Sequence, residues 1–458
     1  MAKQGSAINK VVFVCQECGK ESLKWLGRCP NCQQWNTFIE KVAAPTAALK
    51  PTSVLSPPQE LSRVETKADA RFPLPSTELN RVLGGGIVPG SLVLVSGDPG
   101  IGKSTILLQV ASLVAQARGK VVYVSGEETA RQIKLRAERL GIKGDELYLF
   151  AETDVDAIVG QLDLLAPSLV VIDSIQVMYL SELDSAPGSV TQVRDCTMKL
   201  MHWAKLNAVP VFLSGHVTKD GSIAGPRVLE HIVDVVLYLE GESFSAHRLL
   251  RCVKNRFGST NEVGVFEMKG QGLVEVENPS QVFLSQRGDE AIGSAIVPVL
   301  EGSRPLLVEI QALTNPTSFG LPRRTANGID FNRLLLITAV LSKRLGLKLG
   351  NQDIMVNVTG GLRVEEPAAD LGIALAIASS FRDIPVDPNM VAIGEIGLSG
   401  ELRAVPQLER RISEAARIGF KHCLAPKVGA KINQIAKGTD LISASTLREA
   451  IRVGLASK

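Results

Sequence analysis

From about residue 71, short runs of β-branched and aliphatic residues alternate with stretches whose apolar positions recur at helical spacing. The runs are SLVLVSG (91–97), VVYVSGEE (121–128), SLVVIDS (168–174) and VPVFLSGH (209–216). Helical patterns start at Lys103 and Thr129, and a third covers Val190–Leu206. Strands alternating with helices predict a parallel sheet covered on both faces. A Gly- and Pro-containing stretch at 277–294 interrupts the pattern, and a second mixed α/β region follows. There, 296–314 reads as paired strands, 332–346 as a helix, 354–360 as a strand and 368–381 as an apolar helix. No segment repeats at a 20–50-residue period.

Ahead of this lie two segments of different character. Residues 1–40 crowd four of the seven cysteines into a small unit. Residues 41–70 hold Pro45, Pro51, Pro57 and Pro58 among small residues, a composition that buries little and reads as a linker. The expected organisation is therefore 1–40, a linker at 41–70, a core at 71–278 and a further domain at 290–458.

The chain has 458 residues, 45% of them hydrophobic, enough for more than one core. Fifty basic and 47 acidic residues leave a net charge of +3, which excludes a polyanion-binding surface over the whole protein but not local basic grooves. The longest apolar stretches, Leu334–Leu341 and Leu371–Ala378, fall well short of a membrane span. No apolar run of signal-peptide length opens the sequence, so a cytoplasmic location is expected.

Cys15-x2-Cys18-x10-Cys29-x2-Cys32 is a pair of CxxC knuckles. Each knuckle turns two thiolates toward one point, and four thiolates close a tetrahedron around Zn²⁺. An iron–sulfur site is the alternative. Lys24, Trp25 and Arg28, between the knuckles, read either as a partner contact or as a solvated loop.

Gly97-Asp98-Pro99-Gly100-Ile101-Gly102-Lys103-Ser104-Thr105 fits G-x-x-x-x-G-K-[ST], preceded by a strand and followed by a helix. The glycines let backbone N–H groups wrap the phosphates of ATP, Lys103 reaches the β- and γ-phosphates, and Ser104 holds Mg²⁺. Asp173, ending an apolar run, supplies a second Mg²⁺ carboxylate. Glu127 and Glu128 follow the adjacent strand; one of them is expected to polarise the attacking water, with Glu127 favoured.

These residues, with Gly84-Gly85-Gly86-Ile87-Val88-Pro89-Gly90 ahead of them, resemble the RecA-type ATPase core. Lys254-Asn255-Arg256-Phe257-Gly258 carries the KNRFG signature of the bacterial RadA (Sms) family. The zinc knuckles, SGEE, VIDSIQVM, SAPGSV, GHVTKDGSIAGPRVLEH and DLGIALAIASS follow in the order of that family, so the resemblance spans essentially the whole chain. It implies a hexameric, DNA-dependent ATPase that drives branch migration on recombination intermediates alongside RecA. It implies that Lys254 and Arg256 reach the ATP of a neighbouring subunit or contact DNA. It also implies that loops around 185–194 and 216–227, with Arg194, Lys219 and Arg227, grip single-stranded DNA, and that His216 senses the γ-phosphate. A recombination mediator without motor activity and an ATP-dependent protease are the alternatives.

Residues from about 290 resemble the Lon protease domain, an S5-type α/β fold. The nucleophile position falls on Ala368 in Pro367-Ala368-Ala369-Asp370-Leu371-Gly372, and the lysine position falls near Glu409. A Ser–Lys dyad needs a hydroxyl and an amine that sheds its proton, and neither is present. The fold is expected without proteolysis. Arg304, Arg323, Arg324, Arg333, Lys343 and Arg344 form either a duplex-binding surface or ordinary solvated charges.

Overall fold

A computed structural model describes residues 11–15, 20–22, 24–42, 60, 62, 71–216, 226–241, 246–260, 262–284, 291–318, 320–427 and 438–455. The chain divides into two compact units, residues 1–67 and 68–458.

In the first unit, β1 (Val11–Cys15) lies between β2 (Glu21–Ser22) and β3 (Phe38–Val42) in an antiparallel sheet. Cys15, Cys29 and Phe38 are its buried apolar residues, with Phe13, Leu26 and Cys32 packed around them. So small a cluster cannot offset the chain entropy of folding, which leaves a role for metal binding.

The second unit opens with α1 (Thr77–Leu83), whose N-cap Ser76 accepts from Leu79 N–H and which ends at the left-handed Gly84. There follow β4 (Leu92–Gly97), α2 (Lys103–Arg118), β5 (Val121–Ser125), α3 (Ala130–Arg139), β6 (Leu147–Ala151), α4 (Val155–Leu165), β7 (Leu169–Asp173), α5 (Val190–Asn207) and β8 (Val211–His216). A short helix α6 (Pro226–Glu230) leads into β9 (Val235–Glu240), β10 (His247–Asn255), β11 (Val263–Lys269) and β12 (Gly272–Glu275). These strands make a nine-stranded sheet in the order β12-β11-β10-β9-β4-β8-β7-β5-β6. It is parallel from β9 to β6, where helices cover both faces, and antiparallel from β9 to β12. Side chains alternate between two cores: Val93, Val95 and Tyr123 pack with α2, and Leu92, Leu94 and Val124 pack with α4 and α5.

The stretch at 277–294, read from sequence as a break, holds the helix α7 (Pro279–Leu284). Ser280 Oγ accepts from Leu307 N–H at 3.1 Å and donates to Glu414 at 2.6 Å, so this segment is docked by hydrogen bonds. Beyond it come β13 (Ser294–Glu301), β14 (Arg304–Pro316), β15 (Arg324–Asn327), α8 (Phe331–Leu345), β16 (Gln352–Val358), α9 (Asp370–Arg382), β17 (Met390–Ala392), a small hairpin β18 (Glu395–Ile396) and β19 (Leu402–Arg403), α10 (Leu408–Ile418), β20 (His422–Pro426), β21 (Asp440–Ala444) and α11 (Leu447–Gly454). Seven strands form a mixed sheet in the order β15-β16-β14-β13-β17-β20-β21.

The two large sheets belong to one body. Leu249, Val263 and Val265 of the first share a core with β13, β14 and α9 of the second. Arg304 on β14 donates to the buried Glu78 of α1 at 2.6 Å, and Arg251 on β10 pairs with Glu301 of β13 at 2.5 Å. Arg304, read from sequence either as part of a duplex-binding surface or as an ordinary solvated charge, spends its guanidinium on this buried pair. Among the described residues, no helix is long and apolar enough to cross a membrane.

Candidate functional site

The loop from Gly97 to Gly102 joins the end of β4 to the start of α2. Gly102, the N-cap of α2, has φ 118°, and a Cβ there would sit 2.7 Å from Met268 Cε. Gly100 has φ 76° with nothing within 4 Å of the place a Cβ would occupy, so an approaching anion meets bare backbone. No side chain caps α2, which leaves its first N–H groups and its positive end for phosphate. Lys103 is buried, its Nζ donating to the carbonyls of Gly97 (2.9 Å) and Asp98 (3.0 Å). Burial pulls its pKa below the usual lysine range, while the carboxylates of Asp173, Asp98 and Glu127 oppose that pull. This donor set fits a nucleotide triphosphate tail: a cation and helix N–H groups on one side, carboxylates for a metal ion on the other.

Asp173 ends β7, and Tyr123 of the neighbouring β5 donates to its Oδ2 at 2.6 Å. Burial and this carboxylate push the Tyr123 hydroxyl well above its ordinary pKa, so it remains a donor. The peptide bond between Asp173 and Ser174 is cis. Ser174 Oγ donates to Glu127 Oε1 at 2.5 Å, joining Glu127 to the residue after Asp173. Glu128 is turned away into an ion pair with Arg136 of α3. The structure thus separates two adjacent glutamates that sequence pattern treated almost alike; the deciding partner, Arg136, is eight residues away on the next helix. Ser104 and Thr105 lie in the first turn of α2. His216, at the end of β8, pairs in register with Gly97.

Lys254 and Arg256 lie at the other end of the sheet. Gly97 is in register with Leu239 on β9, whereas Lys254 pairs with Val236, about 10 Å back along that strand. The Lys254 ammonium then points further away, donating to the carbonyls of Val233 (2.9 Å) and Glu230. Arg256 donates to the Asp234 carboxylate at 3.2 Å and to the His231 carbonyl at 3.3 Å. Neither group faces its own chain's phosphate loop.

Of the residues expected to grip DNA, Arg194 belongs to the second turn of α5 rather than to the preceding loop, and its Nε is bonded to Asp195 at 2.8 Å. Lys219 lies outside the described residues, as do the side chains of His216 and Arg227.

In the first unit, the Sγ atoms of Cys15, Cys29 and Cys32 all lie within 4.8 Å of one another. Cys15 Sγ and Cys32 Sγ are 3.6 Å apart, far beyond a disulfide bond and close to the edge of about 3.8 Å that Zn–S bonds of about 2.3 Å require. The hydroxyl of Thr37 lies 3.1 Å from Cys15 Sγ, an outer-shell partner for a thiolate. Cys18 lies outside the described residues. Trp25 donates to the Phe38 carbonyl, and Arg28 bonds to Gln33 and stacks over Trp35, so both support the loop's own structure.

Comparison with known proteins places these parts in order. Residues 13–40 match the rubredoxin metal-binding domain, a zinc ribbon, and residues 56–222 match the AAA domain. Proteins called DNA repair protein RadA are 52% identical to this chain in Halalkalibacterium halodurans and 51% identical in Bacillus subtilis, each covering 98% of this chain and 99% of the relative. The counterpart in Listeria monocytogenes is 51% identical over 97% of this chain and 98% of its own. The chain belongs to the RadA family. Its fold is that of the family resemblance: a zinc ribbon, a P-loop ATPase core of RecA type and a Lon-like C-terminal α/β domain. A KaiC-like protein from Pyrococcus horikoshii OT3 aligns with 45% of this chain and 98% of its own, at 22% identity and a TM-score of 0.38.

In this RadA-family chain, residues 319–429 match the ChlI subunit of Mg-chelatase. Ala368 is buried at the turn that opens α9, where the Lon nucleophile would stand. Glu409 is exposed; the side chain of α10 that reaches this turn is Arg411. Arg411 is fully buried, bidentate to Glu366 at 2.6 and 2.7 Å, and bonded to the Pro298 carbonyl at 2.6 Å. The sequence places the lysine position near Glu409; which side chain of α10 meets the turn is a tertiary contact, and it is Arg411. A guanidinium stays charged and cannot serve as the base. Arg333, taken from sequence as a candidate phosphate contact, is bidentate to the buried Asp370, and Arg324 is turned onto the carbonyls of Leu349 and Gln352. Three of the six basic residues, Arg304, Arg324 and Arg333, thus hold the fold together.

Proposed function

We propose that this RadA-family protein is a DNA-dependent ATPase that assembles into a hexameric ring and drives branch migration of recombination intermediates in DNA repair, working with RecA. The observation that carries the reading is the opposition of two groups on one sheet: the phosphate loop at one end of β4, and Lys254 with Arg256 at the other. ATP in one subunit is not met by that subunit's own Lys254 and Arg256, and gains such a pair when the opposite end of a second subunit packs against it. Hydrolysis then depends on assembly, as a ring motor requires.

Within one site, the N–H groups of the 97–102 loop and Lys103 hold the β- and γ-phosphates. Glu127, oriented by Ser174, accepts a proton from the attacking water. Ser104 and Asp173 are the residues that would hold Mg²⁺, which neutralises charge on the β- and γ-oxygens when bound. The reading assigns γ-phosphate sensing to His216, whose backbone is in register with Gly97, and contact with single-stranded and branched DNA to Lys219 and Arg227. Arg194, in the second turn of α5, is assigned to the same DNA contact. DNA contact there is made to the backbone and is sequence-tolerant.

The test is unwinding of branched DNA, measured with and without RecA, for the wild type and Lys103→Ala. Extension by the wild type and none by the variant supports the motor. Equal DNA binding by both, with no ATP-dependent extension by either, would replace it with the mediator reading. Degradation of casein would revive the protease.

A further inference from the structure

Asp234 precedes β9 and is buried, its side chain 1% exposed against 50% for Arg256 and 48% for Lys205. It ties three elements together. Its Oδ2 accepts from Leu92 N–H at 3.1 Å, and its own N–H donates to Leu92 O at 2.9 Å, which fixes it to the first residue of β4. Lys205 of α5 lies 3.4 Å from both oxygens. Oδ1 accepts from the Arg256 guanidinium at 3.2 Å, and the Asp234 carbonyl accepts from Arg256 N–H at 3.1 Å.

We propose that Asp234 is the positioning residue of the basic pair: it holds Arg256 by side chain and by backbone, and the turn it anchors holds Lys254, so that both cations are aimed out of the subunit. This inference rests on the reading of Lys254 and Arg256 as groups that complete a neighbour's nucleotide site. The physical reason is preorganisation. An arginine or lysine on the surface samples many rotamers, and each must be frozen before the cation stabilises charge across an interface. Here that cost is met within the subunit. The buried carboxylate and the His231 carbonyl take the guanidinium, while the Arg256 side chain as a whole remains half exposed. Lys254 uses two of its three N–H bonds on the carbonyls of Glu230 and Val233, in the turn that ends at Asp234, and keeps the third. Burial and the Arg256 charge pull the Lys254 pKa down, and Asp234 and Glu230 oppose that pull.

Asp234 touches the start of β4, whose other end is the phosphate loop, so a purely structural role would damage the subunit's own nucleotide site. Positioning would damage the neighbour's instead. Mixing subunits separates the two. Asp234→Asn keeps an acceptor for Leu92 N–H and removes the charge that orients Arg256. The single variant is expected to bind a fluorescent ATP analogue as the wild type does and to lose about tenfold or more of its DNA-stimulated turnover. Co-assembled with Lys103→Ala, which has an intact basic pair but a broken phosphate loop, it should recover activity. Co-assembled with Lys254→Ala it should not, because both subunits lack a working pair. Recovery with Lys254→Ala but not with Lys103→Ala, or wild-type turnover by the single variant, would overturn the proposal. The control is Lys254→Ala mixed with Lys103→Ala: no recovery there fails the underlying reading of the pair, not the role of Asp234. Asp234→Ser, which also retains an acceptor, is run in parallel; failure of both variants to fold would show a strut and sink the proposal.

Discussion

Lys254 donates to the carbonyl of Val233 at 2.9 Å, on the far side of the sheet from Lys103. Lys103 and Lys254 therefore stand toward opposite ends of the same sheet. Lys254→Ala is expected to leave nucleotide binding intact and to impair DNA-stimulated hydrolysis. Mixed with Lys103→Ala in co-assembled rings, it should recover part of the ATPase activity, since some interfaces then pair an intact loop with an intact Lys254. Absence of recovery in rings shown to co-assemble would place Lys254 in cis.

Lys103→Ala should abolish hydrolysis. The ammonium is buried against the loop carbonyls, and loss of such charge stabilisation costs on the order of 3–4 kcal/mol, or about a hundred- to a thousandfold in rate. Steady-state phosphate release measures it; wild-type turnover would move the nucleotide site elsewhere.

Glu127→Gln and Glu128→Gln should differ. The first removes the base joined to Ser174, with a loss of about 10²–10⁴ in turnover and retained binding. The second breaks a partly exposed pair with Arg136, worth less than about 1 kcal/mol, and should change turnover little. Equal losses would refute the division of roles.

Chelation should release one zinc ion per chain and unfold residues 11–42 while leaving the melting of 68–458 unchanged, because the ribbon has almost no apolar core of its own. Circular dichroism with elemental analysis tests this. Iron, or no metal, would reject the zinc site.

Glu366→Ala should destabilise the C-terminal part by about 3–5 kcal/mol, since it strands the fully buried Arg411. Ala368→Ser should create no peptidase, because the side chain α10 brings to this turn is Arg411, whose guanidinium stays charged and takes no proton. Thermal melting and a casein assay check the two halves, and casein cleavage by Ala368→Ser would contradict the second.

Sequence by itself determined what depends on local spacing. The phosphate loop needs glycines at fixed positions between a strand and a helix, the knuckles need cysteines with two residues between them, and a fully covered sheet needs uninterrupted apolar strands. All three are patterns along the chain, and so is the alanine at 368, on which the Lon resemblance places its nucleophile. Tertiary structure decided what depends on partners distant in sequence. Glu128 was set apart from Glu127 by Arg136, Arg411 was brought to the Pro367–Ala369 turn by the packing of α10, and Arg304 was drawn from a hypothetical DNA surface to Glu78, 226 residues earlier. A charged side chain goes wherever its counter-charge is buried, and the fold alone determines where that is.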